Sequence, residues 1–181
     1  MNRKEFVKNT GLAMASLSLL PTSSLFGAAA APKVKVAILG VGLRGQNHLD
    51  LLLRRNDVDL VAICDIDDRM LKTAREMITK SGKKMPQVYT GDVNAWKKLL
   101  EKEKPEAIVI ATPWEWHKPM IIGALEAGVK YVGTEVILGI TLQDHWDVVK
   151  AAERYSAHVM MLENVCYRRD VMAVLNMVRQ G

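Results

Sequence analysis

Residues Gly40-Val41-Gly42-Leu43-Arg44-Gly45 place glycines at the first, third and sixth positions of a short segment, a spacing that lets backbone close around a phosphate. Gly40 permits a tight turn, Gly42 lets the main chain approach a pyrophosphate, and Gly45 lets the following helix pack against the preceding strand. The unpaired amides at the start of that helix, with the positive end of its dipole, would face the anion. Asp65 stands twenty residues past Gly45, where a carboxylate can accept the hydroxyls of an adenosine ribose. Asp67 and Asp68 add negative charge that would repel a 2′-phosphate, so the pattern predicts NAD as cofactor in preference to NADP. The bland alternative is a helix-capping aspartate after an accidental glycine turn. Strand, turn, helix, strand and acid in one unit argue against it.

A second stretch with chemical content is Thr112-Pro113-Trp114-Glu115-Trp116-His117, which follows the apolar run 107–111. Ligands of open α/β sheets bind at the carboxyl ends of strands, so this loop is expected to face the cofactor. Trp114 and Trp116 are equally readable as packing aromatics, and His117 as a helix cap. Glu163 and Tyr167 lie just past the last expected strand. Tyr167 is the candidate acid/base group, with a tyrosine bridging two domains as the open alternative. His48, His145 and His158 fall within regular elements and read as structural. No His, Cys, Asp and Glu cluster has metal-ligand spacing, so no metal is expected. Cys64 and Cys166, the only cysteines, read as buried thiols rather than a disulfide framework.

The elements that must position these groups alternate. Strands are expected at 33–39, 58–64, 88–89, 107–111, 129–133 and 158–162. Helices are expected at 43–55, 68–81 (capped by Asp67 or Asp68), 95–102, 120–127 and 142–155, with a last one from about 168 to the end. Such alternation implies right-handed crossovers and a doubly wound parallel sheet, an α/β Rossmann-type fold. In the 181 residues, 49% are hydrophobic, enough for one core, and the net charge is +5. Two of those charges fall in the first ten residues (Arg3, Lys4 and Lys8 against Glu5). The remainder is too diffuse for a nucleic-acid footprint.

The first 31 residues read as an address. A basic start, an apolar stretch from Gly11 to Leu20 and small residues around Ala28 to Ala31 form the layout of a bacterial signal peptide. The apolar stretch is too short and mild to span a bilayer. Arg3-Lys4 with Phe6 resembles the twin-arginine export motif, with lysine in place of the second arginine. The domain organisation expected is therefore a signal peptide over 1–31 and a nucleotide-binding domain over 32–181, with export to the periplasm or beyond.

Thr112-Pro113 with His117 is similar to the loop of the Gfo/Idh/MocA superfamily of sugar and inositol oxidoreductases. Thr112 to His117, Glu135-Val136 and the string Glu163 to Asp170 together resemble the family 109 glycoside hydrolases, over the span 34–181. The resemblance implies an α-N-acetylgalactosaminidase that oxidises its sugar at C3 with bound NAD, eliminates the C1 group, adds water and returns the hydride. It further implies that Leu43, Arg44, Asp65, Trp114, Glu115, Trp116, His117, Glu135, Val136 and Asn164 contact NAD, and that the partner is an N-acetylgalactosaminide-like small sugar. A homo-oligomer stays open. Dehydrogenases of the superfamily carry Glu-Lys-Pro where this chain has Glu135-Val136-Ile137, which counts against a simple sugar dehydrogenase. The glycosidase branch tends to have proline in place of Ile137. A second, largely β domain follows the nucleotide domain in the resembled family. The expectation is that this C-terminal substrate domain is absent from the 181 residues, which alone would not hydrolyse a glycoside. Three readings follow: the nucleotide-binding portion of an exported NAD-dependent glycosidase, a sugar oxidoreductase of the superfamily, or a non-catalytic NAD-binding module.

Overall fold

The computed structural model describes residues 32–181; the export segment expected over 1–31 lies outside them. Six parallel strands form one sheet in the order β3-β2-β1-β4-β5-β6. The strands are β1 Val34–Leu39, β2 Val58–Cys64, β3 Gln87–Tyr89, β4 Ala107–Ile110, β5 Tyr131–Thr134 and β6 His158–Met161. Between them run helices α1 Leu43–Leu53, α2 Asp68–Ser81, α3 Ala95–Glu103, α4 Trp114–Glu126 and α5 Leu142–Arg154. A 3-10 turn, Asn164–Tyr167, and α6 Arg169–Gln180 close the chain.

Strand alternation divides the core into two layers. Ile38 and Ile63 point to the face covered by α1 and α2, where Leu49, Leu53, Leu71, Ala74 and Ile78 are buried. Ala37, Leu39, Ala62 and Cys64 point to the other face, beneath Trp96, Leu99, Ile121, Leu125 and Val148 of α3, α4 and α5. Both faces of the central strands are thereby covered, which is why β1 and β4 read as apolar runs. The chain leaves β1 toward β2 and β3, then returns to place β4 on the opposite side of β1. The gap between the carboxyl ends of β1 and β4 is thus the topological switch point, the usual ligand crevice of such sheets.

The expected doubly wound parallel sheet is therefore present, and β2 and α2 have the expected bounds. The largest difference is α4. The sequence places its start at Met120, yet the helix begins at Trp114, with Pro113 before it and Pro119 inside. Pro119 removes one hydrogen bond, to the carbonyl of Glu115, near the helix start. Both residues are exposed, so water can satisfy that carbonyl. Of the two cysteines, Cys64 is buried as expected and Cys166 is exposed in the 3-10 turn, a correction. All four residues of that turn are exposed. No residue of α6 is buried, and among the described residues no helix is long and apolar enough to cross a membrane.

Candidate cofactor site

The glycine turn sits at the switch point, and two of its glycines are sterically required. Gly40 has φ +84°, and a Cβ there would lie 2.5 Å from the carbonyl oxygen of Ala111. A Cβ on Gly45 would collide with the carbonyl of Gly40. Gly42 differs: a Cβ there would meet nothing within 4 Å, so the space above the turn is open. The first helical bond of α1 runs from the Gln46 amide to the Gly42 carbonyl at 2.9 Å. The amides of Leu43, Arg44 and Gly45 precede it and have no helical acceptor behind them. No acidic residue occupies the first turn of α1, so nothing on that turn competes for the dipole's positive end. Required glycines below, open space above and free donors at the rim fit a dinucleotide pyrophosphate.

Asp65 fastens the turn. One carboxylate oxygen accepts the Val41 amide at 2.8 Å and the other the Asp67 amide at 2.9 Å. Each oxygen keeps a further acceptor direction for a ribose hydroxyl. Asp67 caps α2 by accepting from the Arg69 amide and is also gripped by the Arg69 guanidinium. Those hydrogen bonds hold its carboxyl down at about 2. The charge of Asp67 is thus matched by Arg69, which leaves Asp65 and the exposed Asp68 to bias the site against a 2′-phosphate. Beside it, burial, followed by the charge of Asp65, pushes the Cys64 thiol up to about 12.

A crevice of about 220 Å³ runs along this edge. Of the expected contacts, Gly40, Gly42, Asp65, Thr112 and Trp116 line it. Ile66, Met70, Val93 and Trp96 also line it and were not anticipated; each is a single apolar side chain in a loop or helix with no motif to mark it. Leu43 and Trp114 stand at the surface, and Glu115 is also exposed. Val136 is half-buried after β5, and Asn164 is exposed at the start of the 3-10 turn. Tyr167 is 69% exposed.

His117 is neither a helix cap nor a free ligand group. It lies inside α4 and is fully buried, with Nδ1 2.5 Å from the Ile137 carbonyl oxygen and Nε2 2.8 Å from that of Thr112. Its ring ties the β4 loop to the segment after β5, with both nitrogens turned to backbone carbonyls. Arg44 and Glu135, both expected contacts, meet each other: Arg44 Nε donates to Glu135 Oε1 at 2.8 Å. His48, read as structural, joins them through Nε2 at 2.6 Å from the same oxygen. The spacing of Arg44 and His48, four residues apart on one helix, was the available sign that they share a face. Burial pushes the Glu135 carboxyl up, but the hydrogen bonds and charges of His48 and Arg44 outweigh it, leaving Glu135 below its ordinary range. Among the described residues no group of His, Cys, Asp and Glu could hold a metal ion.

Residues 34–163 match the model of the Gfo/Idh/MocA oxidoreductase family, described as an NAD-binding Rossmann fold. The chain belongs to that family. Its cofactor is accordingly NAD. Among solved structures, myo-inositol 2-dehydrogenase from Lactobacillus plantarum aligns with TM-score 0.69 and 25% identity, over 82% of this chain and 42% of that one. A glycosyl hydrolase family 109 protein from Stenotrophomonas maltophilia is 51% identical over the whole chain and 39% of its own length. An α-N-acetylgalactosaminidase from Tannerella forsythia is 43% identical over 82% of this chain and 32% of its own. The chain spans about two fifths of the length of the first of these curated relatives.

Proposed function

We propose that this chain is the NAD-holding portion of an exported, redox-neutral hydrolase of α-N-acetylgalactosaminides. The observation that carries the reading is the residue after Glu135. Val136 stands there, half-buried at the carboxyl end of β5, where dehydrogenases resembling this chain carry lysine. An apolar side chain cannot relay a proton from a sugar hydroxyl, which disfavours a simple dehydrogenase. The identity to the family 109 proteins supports the same reading.

NAD, when bound, would supply a two-electron acceptor that takes hydride from C3 of the sugar and returns it. The chain's own residues hold and orient: the α1 amides would face the pyrophosphate, Asp65 the adenosine ribose, and Thr112, Pro113 and Trp116 wall the crevice. With C3 as a ketone, the C2 proton becomes acidic. Its removal expels the C1 group, water adds to C1, C2 regains a proton, and the returned hydride restores the alcohol. Tyr167, with an exposed phenol past β6, is the candidate to move one of these protons. The basic, apolar, small-residue order of the first 31 residues supports export. Retaining the cofactor through the cycle suits a compartment without a pool of NAD.

The test uses the full-length parent protein and 4-nitrophenyl α-N-acetylgalactosaminide in D2O without added NAD. The reading expects free sugar with deuterium at C2 and no accumulating keto-sugar. Hydrolysis without C2 deuterium, or an oxidised sugar accumulating with a reduced partner, would overturn it; the latter would assign a sugar oxidoreductase.

A further inference from the structure

Glu135 sits immediately after β5, and Arg44 and His48 sit on α1, which follows β1. In the sheet β4 lies between β1 and β5, so the cluster bridges the carboxyl end of β4. Both bonds converge on Oε1, at 2.8 Å from Arg44 and 2.6 Å from His48. Among the described residues, no hydrogen bond reaches Oε2. The side chains of His48 and Glu135 are 15% and 12% exposed, whereas that of Arg44 is 41% exposed. The inner support is therefore the histidine. An ionised carboxylate only accepts hydrogen bonds, so Nε2 of His48 carries the hydrogen in this contact.

Asp65 marks the adenosine side of the crevice at β2, and the α1 amides mark the pyrophosphate. A dinucleotide laid along that line reaches the β4–β5 side with its nicotinamide ribose and ring, beside Glu135. We propose that His48 is a positioning residue: with Arg44 it fixes Glu135 by one oxygen, so that the other is presented to a donor on the nicotinamide half of the cofactor. The inference rests on the chain holding a dinucleotide as described above. Glu135 has two carbons between its carboxylate and its backbone attachment. Without His48, only the more exposed Arg44 would hold the carboxylate, and its free oxygen would sample several directions. Such a loss acts on the nicotinamide half alone.

The experiment compares NAD with ADP, which ends before the nicotinamide ribose, by calorimetric titration of the 181-residue chain. His48→Leu is expected to weaken NAD about tenfold, as for one hydrogen bond involving a charged group, and to leave ADP within twofold. His48→Gln keeps an N–H donor at similar reach and should restore NAD binding. His48→Asn, one methylene shorter, should not. In a Glu135→Ala background His48→Leu should have no further effect. Equal weakening of NAD and ADP, or no weakening of either, overturns the positioning role. If His48→Leu fails to fold, the Gln and Asn pair makes the same comparison, and equal affinities there overturn it. If the unsubstituted chain binds neither nucleotide, the dinucleotide reading fails first and the role of His48 falls with it.

Discussion

The carboxylate of Asp65 accepts a backbone amide on each oxygen, from Val41 and from Asp67, so one side chain shapes the glycine turn and faces the ribose. Replacing it separates the two roles. Asp65→Asn is nearly isosteric but turns one acceptor into an N–H2 donor, which then faces an amide N–H. An unsatisfied buried donor costs about 1–3 kcal/mol, so the variant is expected to melt lower. With the charge removed, it should also bind NAD and NADP with similar affinity. Thermal denaturation and paired titrations check this, and an unchanged preference for NAD would place discrimination elsewhere. Asp65 was legible from sequence because strand end, glycine turn and acid recur at fixed spacing. The pairing of Asp67 with Arg69 was not, since two adjacent charges do not reveal which is already matched. The burial of His117 was hidden for a similar reason. A histidine's partners here are carbonyls of Thr112 and Ile137, groups every residue carries.

Elements were legible where hydrophobic period and caps agree. In α2, Asp67 caps the start, Leu71, Ala74 and Ile78 are buried at helical spacing, and Gly82 ends it with φ +70°. In α4 the sign conflicted, because proline normally marks a boundary. The helix persists because Met120, Ile121, Ala124 and Leu125 anchor it from below. Helix α5 shows how caps and ion pairs cooperate. Thr141 and Asp144 form a reciprocal capping box, and Lys118 of α4 donates to Asp144 at 2.8 Å and to Asp147 at 2.6 Å. The Lys118 hydrogen bond, then those of the Thr141 amide and hydroxyl, hold the Asp144 carboxyl far below its ordinary range. The folded state thus binds fewer protons at this site than the unfolded chain. The stabilisation is present above the ordinary carboxylate range and is lost as pH falls toward the depressed folded value. Thr141→Ala should cost about 1 kcal/mol at neutral pH. Asp144→Ala should lower the melting temperature at pH 7, and the gap from the unsubstituted chain should close as pH falls below 4. Denaturation series at several pH values measure both, and a gap constant with pH would remove the charge from the explanation.

Across the whole molecule, the core and the site share the same strand ends. Leu39 and Cys64 are buried in the layer beneath α3, α4 and α5, and both also line the crevice. A dinucleotide would therefore bind the end of the core, and would touch β1, β2, β4 and the segment after β5 together. The unfolded chain has no such edge, so ligand binding adds to the unfolding free energy. At a concentration one hundred times the dissociation constant the gain is about 2.7 kcal/mol. For a domain of this size, each kcal/mol raises the midpoint by about 2–4 °C. NAD is thus expected to raise the melting temperature of the 181-residue chain by about 5–10 °C at that concentration. NADP at the same concentration should raise it less, because its 2′-phosphate meets Asp65. Gly45→Ala supplies the control, since a methyl group there displaces the Gly40 carbonyl and deforms the turn. In that variant the shift with NAD should disappear, even where the protein still unfolds cooperatively. Scanning calorimetry with NAD, NADP and no ligand gives all three values on one preparation. Equal shifts from the two cofactors would remove Asp65 as the discriminating charge, and a shift retained in Gly45→Ala would place the dinucleotide away from the glycine turn.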